Sequence, residues 1–325
     1  MALPIAVLIG LFSLAADPAA PVAAPPEVPA EPAFLFDLAT STGASESTWA
    51  AVAYDRKHDE LFTVHGGLVH IFNQAGMETF TFGGDGDLGT VERVDVFESG
   101  EMLLLANLGG RRAILRCDYR GEKLGTFEPN PLPEAFGKFD PDRIQIAGGK
   151  VYLVESTAMR VVVTDGEGKV EATHDLAALV RKKDPEIKTG MNGFWVDGQG
   201  NFLFTLPYAF TAGVVSPSGA LRLFGTRGSS PGKFNIAGSI VADERGWIFV
   251  LDRLRSVVIV FDPKLKFVLE FGYRGDGPTN LIAPFDLAVG NGRIFVSQAR
   301  DRGVKVFQYD FSKPAPPPPL GAKRG

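Results

Sequence analysis

Ile240-Val-Ala-Asp-Glu-Arg-Gly-Trp-Ile-Phe-Val-Leu-Asp252, Val257-Val-Ile-Val-Phe-Asp262 and Phe267-Val-Leu-Glu-Phe-Gly272 read as three short apolar strands, each closed by Asp or Gly. The pattern restarts at Phe285-Asp-Leu-Ala-Val-Gly-Asn-Gly-Arg-Ile-Phe-Val-Ser-Gln298, whose turn at Gly292 lies 46 residues after the turn at Gly246. Short strands recurring at such a period are the mark of propeller blades, sheets that each need a neighbour to bury their faces. The fold class is therefore all-β, and the repeat assigns the long chain to one domain.

The residue before each second strand is Asp59, Gly100, Gly149, Gly200, Gly246 and Gly292, at spacings of 41, 49, 51, 46 and 46 residues. Apolar runs follow each, among them Leu61-Phe-Thr-Val64, Met102-Leu-Leu-Leu105 and Val151-Tyr-Leu-Val154. Six blades result. The long gap into the fourth unit coincides with Asp175-Leu-Ala-Ala-Leu-Val-Arg-Lys-Lys183, which reads as one or two helical turns inserted between blades. The sixth unit ends at Tyr309-Asp-Phe311 without a fourth strand, whereas Phe34-Leu-Phe-Asp-Leu38 stands unattached before the first. This N-terminal strand is expected to close the last blade and so remove the open edge of the ring.

Composition agrees: 38 Gly, 23 Pro and 25 Phe suit many tight turns with aromatics between sheets. A net charge of -5 argues against a broad phosphate-binding field, so nucleic acid is not the expected partner. Cys117, the only cysteine, excludes an intramolecular disulfide and sits in a strand-like run as a small hydrophobe. Residues 1–16 resemble a signal peptide lacking a basic n-region, too short to span a bilayer, which leads to an expected periplasmic or secreted location. A Pro/Ala-rich linker at 17–33 and a Pro-rich tail at 312–325 flank the propeller at 34–311.

Phe224-Gly-Thr-Arg-Gly-Ser-Ser-Pro-Gly-Lys-Phe234 and Phe271-Gly-Tyr-Arg-Gly-Asp-Gly-Pro278, with a decayed copy at Phe82-Gly-Gly-Asp-Gly-Asp-Leu-Gly89, resemble the interblade connections of NHL-repeat proteins. Residues 224–310 match that family's pattern in letters and 49–223 mainly in spacing. The resemblance implies a six-bladed propeller and little specific chemistry, because the family includes binding modules as well as lyases and hydrolases.

After the second strands stand His65, Asn107, Glu155, Pro207 with Tyr208, Asp252 and Gln298, which would ring one mouth of the channel. They read either as ligand-binding groups or as side chains that bond their own turns. Near the starts of the first strands lie Glu92, Arg93, Asp142, Arg143, Asn192, Ser239 and Asp286, either a ligand or ion site or pairs of opposite charge between adjacent blades. His65 and His70 lack a third ligand at fixed spacing, and Gly84-Asp-Gly-Asp87 and Arg274-Gly-Asp276 fall in repeated turns, so no metal, cofactor or adhesion motif is expected from them. No nucleophile elbow or phosphate-binding loop is present.

Three functional readings follow. The first is an exported, non-catalytic binding or scaffold module for a protein partner or small extracytoplasmic ligand. The second is a metal-dependent propeller enzyme, a lactonase-like hydrolase or amidating-type lyase, using His65, Glu155 and Asp252 at the mouth. RNA binding through Arg253, Arg255, Arg300 and Arg302 is the third, opposed by the acidic total.

Overall fold

A computed structural model describes residues 29–40, 43–44, 49–84, 86–299 and 302–311. The signal-like run, most of the proline-rich linker and the 312–325 tail fall outside them, as do Asp85 and Arg300. From the centre outward, blade one comprises Ala51–Asp55, Glu60–His65, Leu68–Phe72 and Glu78–Gly83. Blade two comprises Thr90–Val96, Met102–Leu108, Arg111–Cys117 and Lys123–Thr126, and blade three Arg143–Ala147, Lys150–Glu155, Arg160–Asp165 and Val170–Asp175. Blade four is Phe194–Val196, Phe202–Leu206, Thr211–Val215 and Leu221–Phe224; blade five is Ala237–Ala242, Ile248–Asp252, Val257–Phe261 and Phe267–Phe271. Blade six is Pro284–Gly290, Arg293–Gln298 and Val304–Gln308, completed by Ala33–Asp37 from the N-terminus. The innermost strands touch one another all the way round, so this is a closed six-bladed β-propeller.

Strand alternation explains the packing. Along Met102–Leu108, Met102, Leu104 and Ala106 enter the core shared with blade one, while Leu103 and Leu105 enter the core shared with blade three. In blade five, Phe249 and Leu251 face blade six, and Ile248 and Val250 face blade four. Every second strand is thus covered on both sides, which is why it reads as continuously apolar rather than alternating. Six hydrophobic clusters result, one between each pair of consecutive blades.

Closure follows the expectation. Ala33–Asp37 pairs antiparallel with Val304–Gln308, matching Phe34 with Phe307 and Asp37 with Lys305. The Phe34 ring meets Phe307 edge-on at 6.0 Å and lies under the Lys305 ammonium at 4.8 Å. Beyond the strand, the Leu38 N–H donates to the Val304 carbonyl at 3.0 Å, and the Leu38 side chain is buried with Leu61, Phe72 and Phe295 between blades one and six.

Two local features were also expected. Leu176–Lys183 is helical, its first turn capped by Asp175 Oδ1 accepting from Ala178 N–H at 2.7 Å, and Leu176, Ala177 and Val180 plug the core between blades three and four. The two well-preserved interblade turns fold alike, each closed by a parallel bridge, Arg227 with Phe234 and Arg274 with Leu281. Gly225 has φ +78° there, and a Cβ on it would come within 2.1 Å of the Phe234 ring, so neither the backbone nor the space admits a side chain.

Truncating Leu38 to Ala should cost about 3 kcal/mol and lower the melting temperature by roughly 6–12 °C, measured by differential scanning calorimetry. A variant melting within about 2 °C of the parent would show that blade six does not depend on the N-terminal segment.

Candidate functional site

Each blade presents the turn between its first and second strands on one face of the disc. The loop between its second and third strands lies on the other, together with the entry to its first strand. His65, Asn107, Glu155, Tyr208, Asp252 and Gln298 all fall on this second, loop face, one per blade.

Three of them bond the loops around them. Buried Asp252 accepts from the N–H groups of Asn235 at 2.6 Å, Ile236 at 3.3 Å and Arg255 at 3.0 Å, joining the entry of blade five to its own loop. Gln298 Oε1 accepts from Ile282 N–H at 2.8 Å, and Asn107 Oδ1 from Gly110 N–H at 2.8 Å. Tyr208 stands exposed in a short 3-10 turn, Pro207–Ala209. Burial raises the Glu155 carboxyl above its ordinary range, with Arg160 at 3.9 Å pulling the other way. His65 stacks on His70 at 4.5 Å, and His70 Nδ1 contacts Glu78 Oε1 at 2.6 Å. His58 pairs instead with Asp55, and His174 stands edge-on to Phe202. Among the described residues no group of three or more His, Cys, Asp or Glu side chains could hold a metal ion.

The central channel is a cavity of about 670 Å³, and none of those six residues lines it. Its walls are the innermost strands. At the turn-face end stand Arg56, Lys57, Glu98 and Lys150, and at the other end Arg93, Arg143, Ser239 and Asp286. The last four belong to the set found near the first-strand starts in the sequence; Glu92, Asp142 and Asn192 turn elsewhere. Glu92 bonds Arg112 at 3.0 Å, and Asp142 accepts from Ser156 N–H and Oγ.

The expected charge pairing between adjacent blades is corrected at one point. Arg93 of blade two meets Asp286 of blade six at 2.6 Å, passing over blade one, which opens with the small, uncharged Ala51-Val52. Val52 N–H donates to the same carboxylate at 3.4 Å.

Other polar groups, on the wall and behind it, tie one blade to another. Asp95 accepts from Ile146 N–H at 2.6 Å, while Gln145 exchanges two hydrogen bonds with the Val196 backbone. Thr205 Oγ donates to Gly238 O at 2.7 Å, Tyr309 Oη to Asp243 at 3.0 Å, and Lys57 Nζ to Glu98 O at 2.6 Å. Arg56 reaches the carbonyls of Ala242 and Val289. Sequence reasoning missed Asp95, Gln145 and Arg56. The available signal was a charged residue inside Val91-Glu-Arg-Val-Asp-Val96, at a position where the other first strands are uncharged.

Burial governs the titration of this wall. It pushes the Asp95 carboxyl up to about 7, against the opposing pull of the Ile146 and Val96 N–H groups. It brings the Arg143 guanidinium down to about 10, helped by the nearby positive charge of Arg93 and countered by Asp286 and Asp142.

No family model and no curated protein matches the chain. Solved structures do resemble it. Virginiamycin B lyase from Staphylococcus aureus shares 12% identity, with a TM-score of 0.51, over 81% of this chain and 85% of that one. Regucalcin, a calcium-binding protein from Agrobacterium tumefaciens, shares 13%, with a TM-score of 0.55, over 88% and 99%. A Bacteroides thetaiotaomicron protein of unknown function shares 11%, with a TM-score of 0.59, over 86% and 72%. The likeness is one of fold.

Because the folded-state value of Asp95 is raised, the folded protein binds the extra proton, and stability present at low pH is lost as pH rises through about 7. Asp95→Asn should therefore flatten the fall in melting temperature between about pH 4 and pH 7, followed by calorimetry across that window. An unchanged slope would show that Asp95 is ionised throughout.

Proposed function

We propose that this chain is an exported, non-catalytic NHL-like binding module whose loop face docks a protein partner. The observation that carries this reading is the set of large apolar side chains left in solvent there. Trp49 is 59% exposed, Tyr208 69%, Leu254 64%, Tyr273 50% and Ile236 40%, and all five come from loops of blades four, five and six or the entry to blade one. Aromatic and apolar groups exposed together on loops of a rigid scaffold are the composition of an interface centre.

The backbone supports the same reading. Trp49 and Tyr273 adopt φ +52° and +46°, a left-handed conformation unfavourable for a bulky residue, and Trp49 is held in it by its N–H donating to Gln298 O at 2.9 Å. Strain kept at an exposed aromatic side chain fixes where that side chain points. Asp252, Asn107 and Gln298 then act as braces that hold the presenting loops. The signal-like N-terminus supports export, and the proline-rich ends suit spacing from an attachment point. Among the described residues no helix is long and apolar enough to cross a membrane.

A triple variant, Trp49→Ser with Tyr208→Ser and Leu254→Ser, should melt within about 2 °C of the parent. It should lose the partner cross-linked from a native envelope extract, whereas Tyr119→Ser with Leu124→Ser, on other surfaces, should retain it. Equal capture by both variants would remove the loop face from consideration. One equivalent of calcium or zinc on the purified chain, lost in a His65→Ala, Glu155→Ala variant, would favour the metal-enzyme reading instead.

A further inference from the structure

The channel end formed by Arg93, Arg143, Ser239 and Asp286 carries a charge imbalance that blade packing does not explain. Two guanidinium groups share one carboxylate. Arg93 is paired with Asp286 at 2.6 Å; Arg143 has no carboxylate within ion-pair distance among the described residues. Arg143 Nε donates to Ser156 Oγ at 3.3 Å and Nη2 to the Asn192 carbonyl, which leaves Nη1 without an acceptor among the described residues. Asp142, next in sequence, accepts both Ser156 bonds on Oδ1 and attracts Arg143 only from beyond ion-pair distance, and Asp95 points its oxygens at the N–H groups of Ile146 and Val96.

A partly buried guanidinium with no carboxylate in ion-pair contact is costly, and its planar fork matches the geometry of a carboxylate. Arg143 nevertheless borders a cavity of about 670 Å³, a volume suited to a small molecule. Val52, Ile144 and Ile146 offer apolar wall beside it. We infer that this end of the channel binds the carboxylate of a small organic acid, with Arg143 and Arg93 as the anion-holding pair and the apolar wall receiving the acid's carbon body. The site lies inside the loop-face end of the channel, shares no residue with the docking surface and does not rest on it.

Three probes test this by isothermal titration calorimetry at low ionic strength: benzoate, its uncharged counterpart benzamide, and inorganic phosphate. Benzoate should bind saturably with one site per chain, and benzamide should not. Arg143→Gln should weaken benzoate at least about tenfold, the loss expected when a charge-assisted pair is removed. Asp286→Asn, which frees Arg93 from its internal partner while keeping an acceptor for Val52 N–H, should tighten benzoate severalfold; a merely structural role for these residues gives no such gain. Should Arg143→Gln fail to fold, Arg143→Lys and Asp286→Asn keep the comparison decisive. Absence of benzoate binding, equal binding of benzamide, tighter binding of phosphate than of benzoate, or weaker binding in Asp286→Asn would each overturn the assignment.

Discussion

Each sheet of this protein buries both faces only if it has a neighbour on both sides, so the array has no stable end except by closing on itself. Everything else follows from that constraint. Six apolar clusters sit between six pairs of sheets, and the one between blades six and one is where the two ends of the described chain meet. Leu38 from the N-terminal side and Val304 and Val306 from the last blade share that cluster, so a segment far away in sequence supplies cover that no neighbouring segment can.

Closure also determines what the channel wall can do. Innermost strands brought together around an axis bring their polar side chains together too, and most of these are used to join one blade to the next. Asp95 and Gln145, with Arg56 from the turn that follows blade one's innermost strand, all bond the backbone of another blade. Such ties hold the wall in one arrangement, and the groups they do not consume stand out against them. Arg143 is the clearest, a cation of the channel lining whose hydrogen bonds among the described residues go to neutral oxygens. On the loop face the balance is reversed: polar side chains brace the backbone and the apolar ones are left in solvent.

Blade number, closure and the inserted helix were legible in the sequence because they rest on local chemistry. Second strands covered on both sides are continuous apolar runs, turns need Gly or Asp at one place, and Asp175 announces the helix it caps. The candidate site was legible only in part. Asp252 and Gln298 carry the residue types of a binding ring, yet they are spent on the loops beside them, a fact fixed by three-dimensional proximity to Asn235, Ile236 and Ile282. The channel lining was hidden for a second reason. First strands shift register between Val91 and Arg93, between Ala237 and Ile240, and between Pro284 and Leu287. Arg93, Ser239 and Asp286 sit at those irregularities, where alternation no longer says which side chain faces the axis.

Ring closure is tested most directly by native-state hydrogen exchange, comparing amides of 33–38 and 304–308 with those of the central strands of blade five. With the ring closed, both segments should exchange together and as slowly as other strands with a partner on each side, through the same global opening. Rapid exchange of 33–38, with 304–308 behaving as an exposed edge, would contradict it.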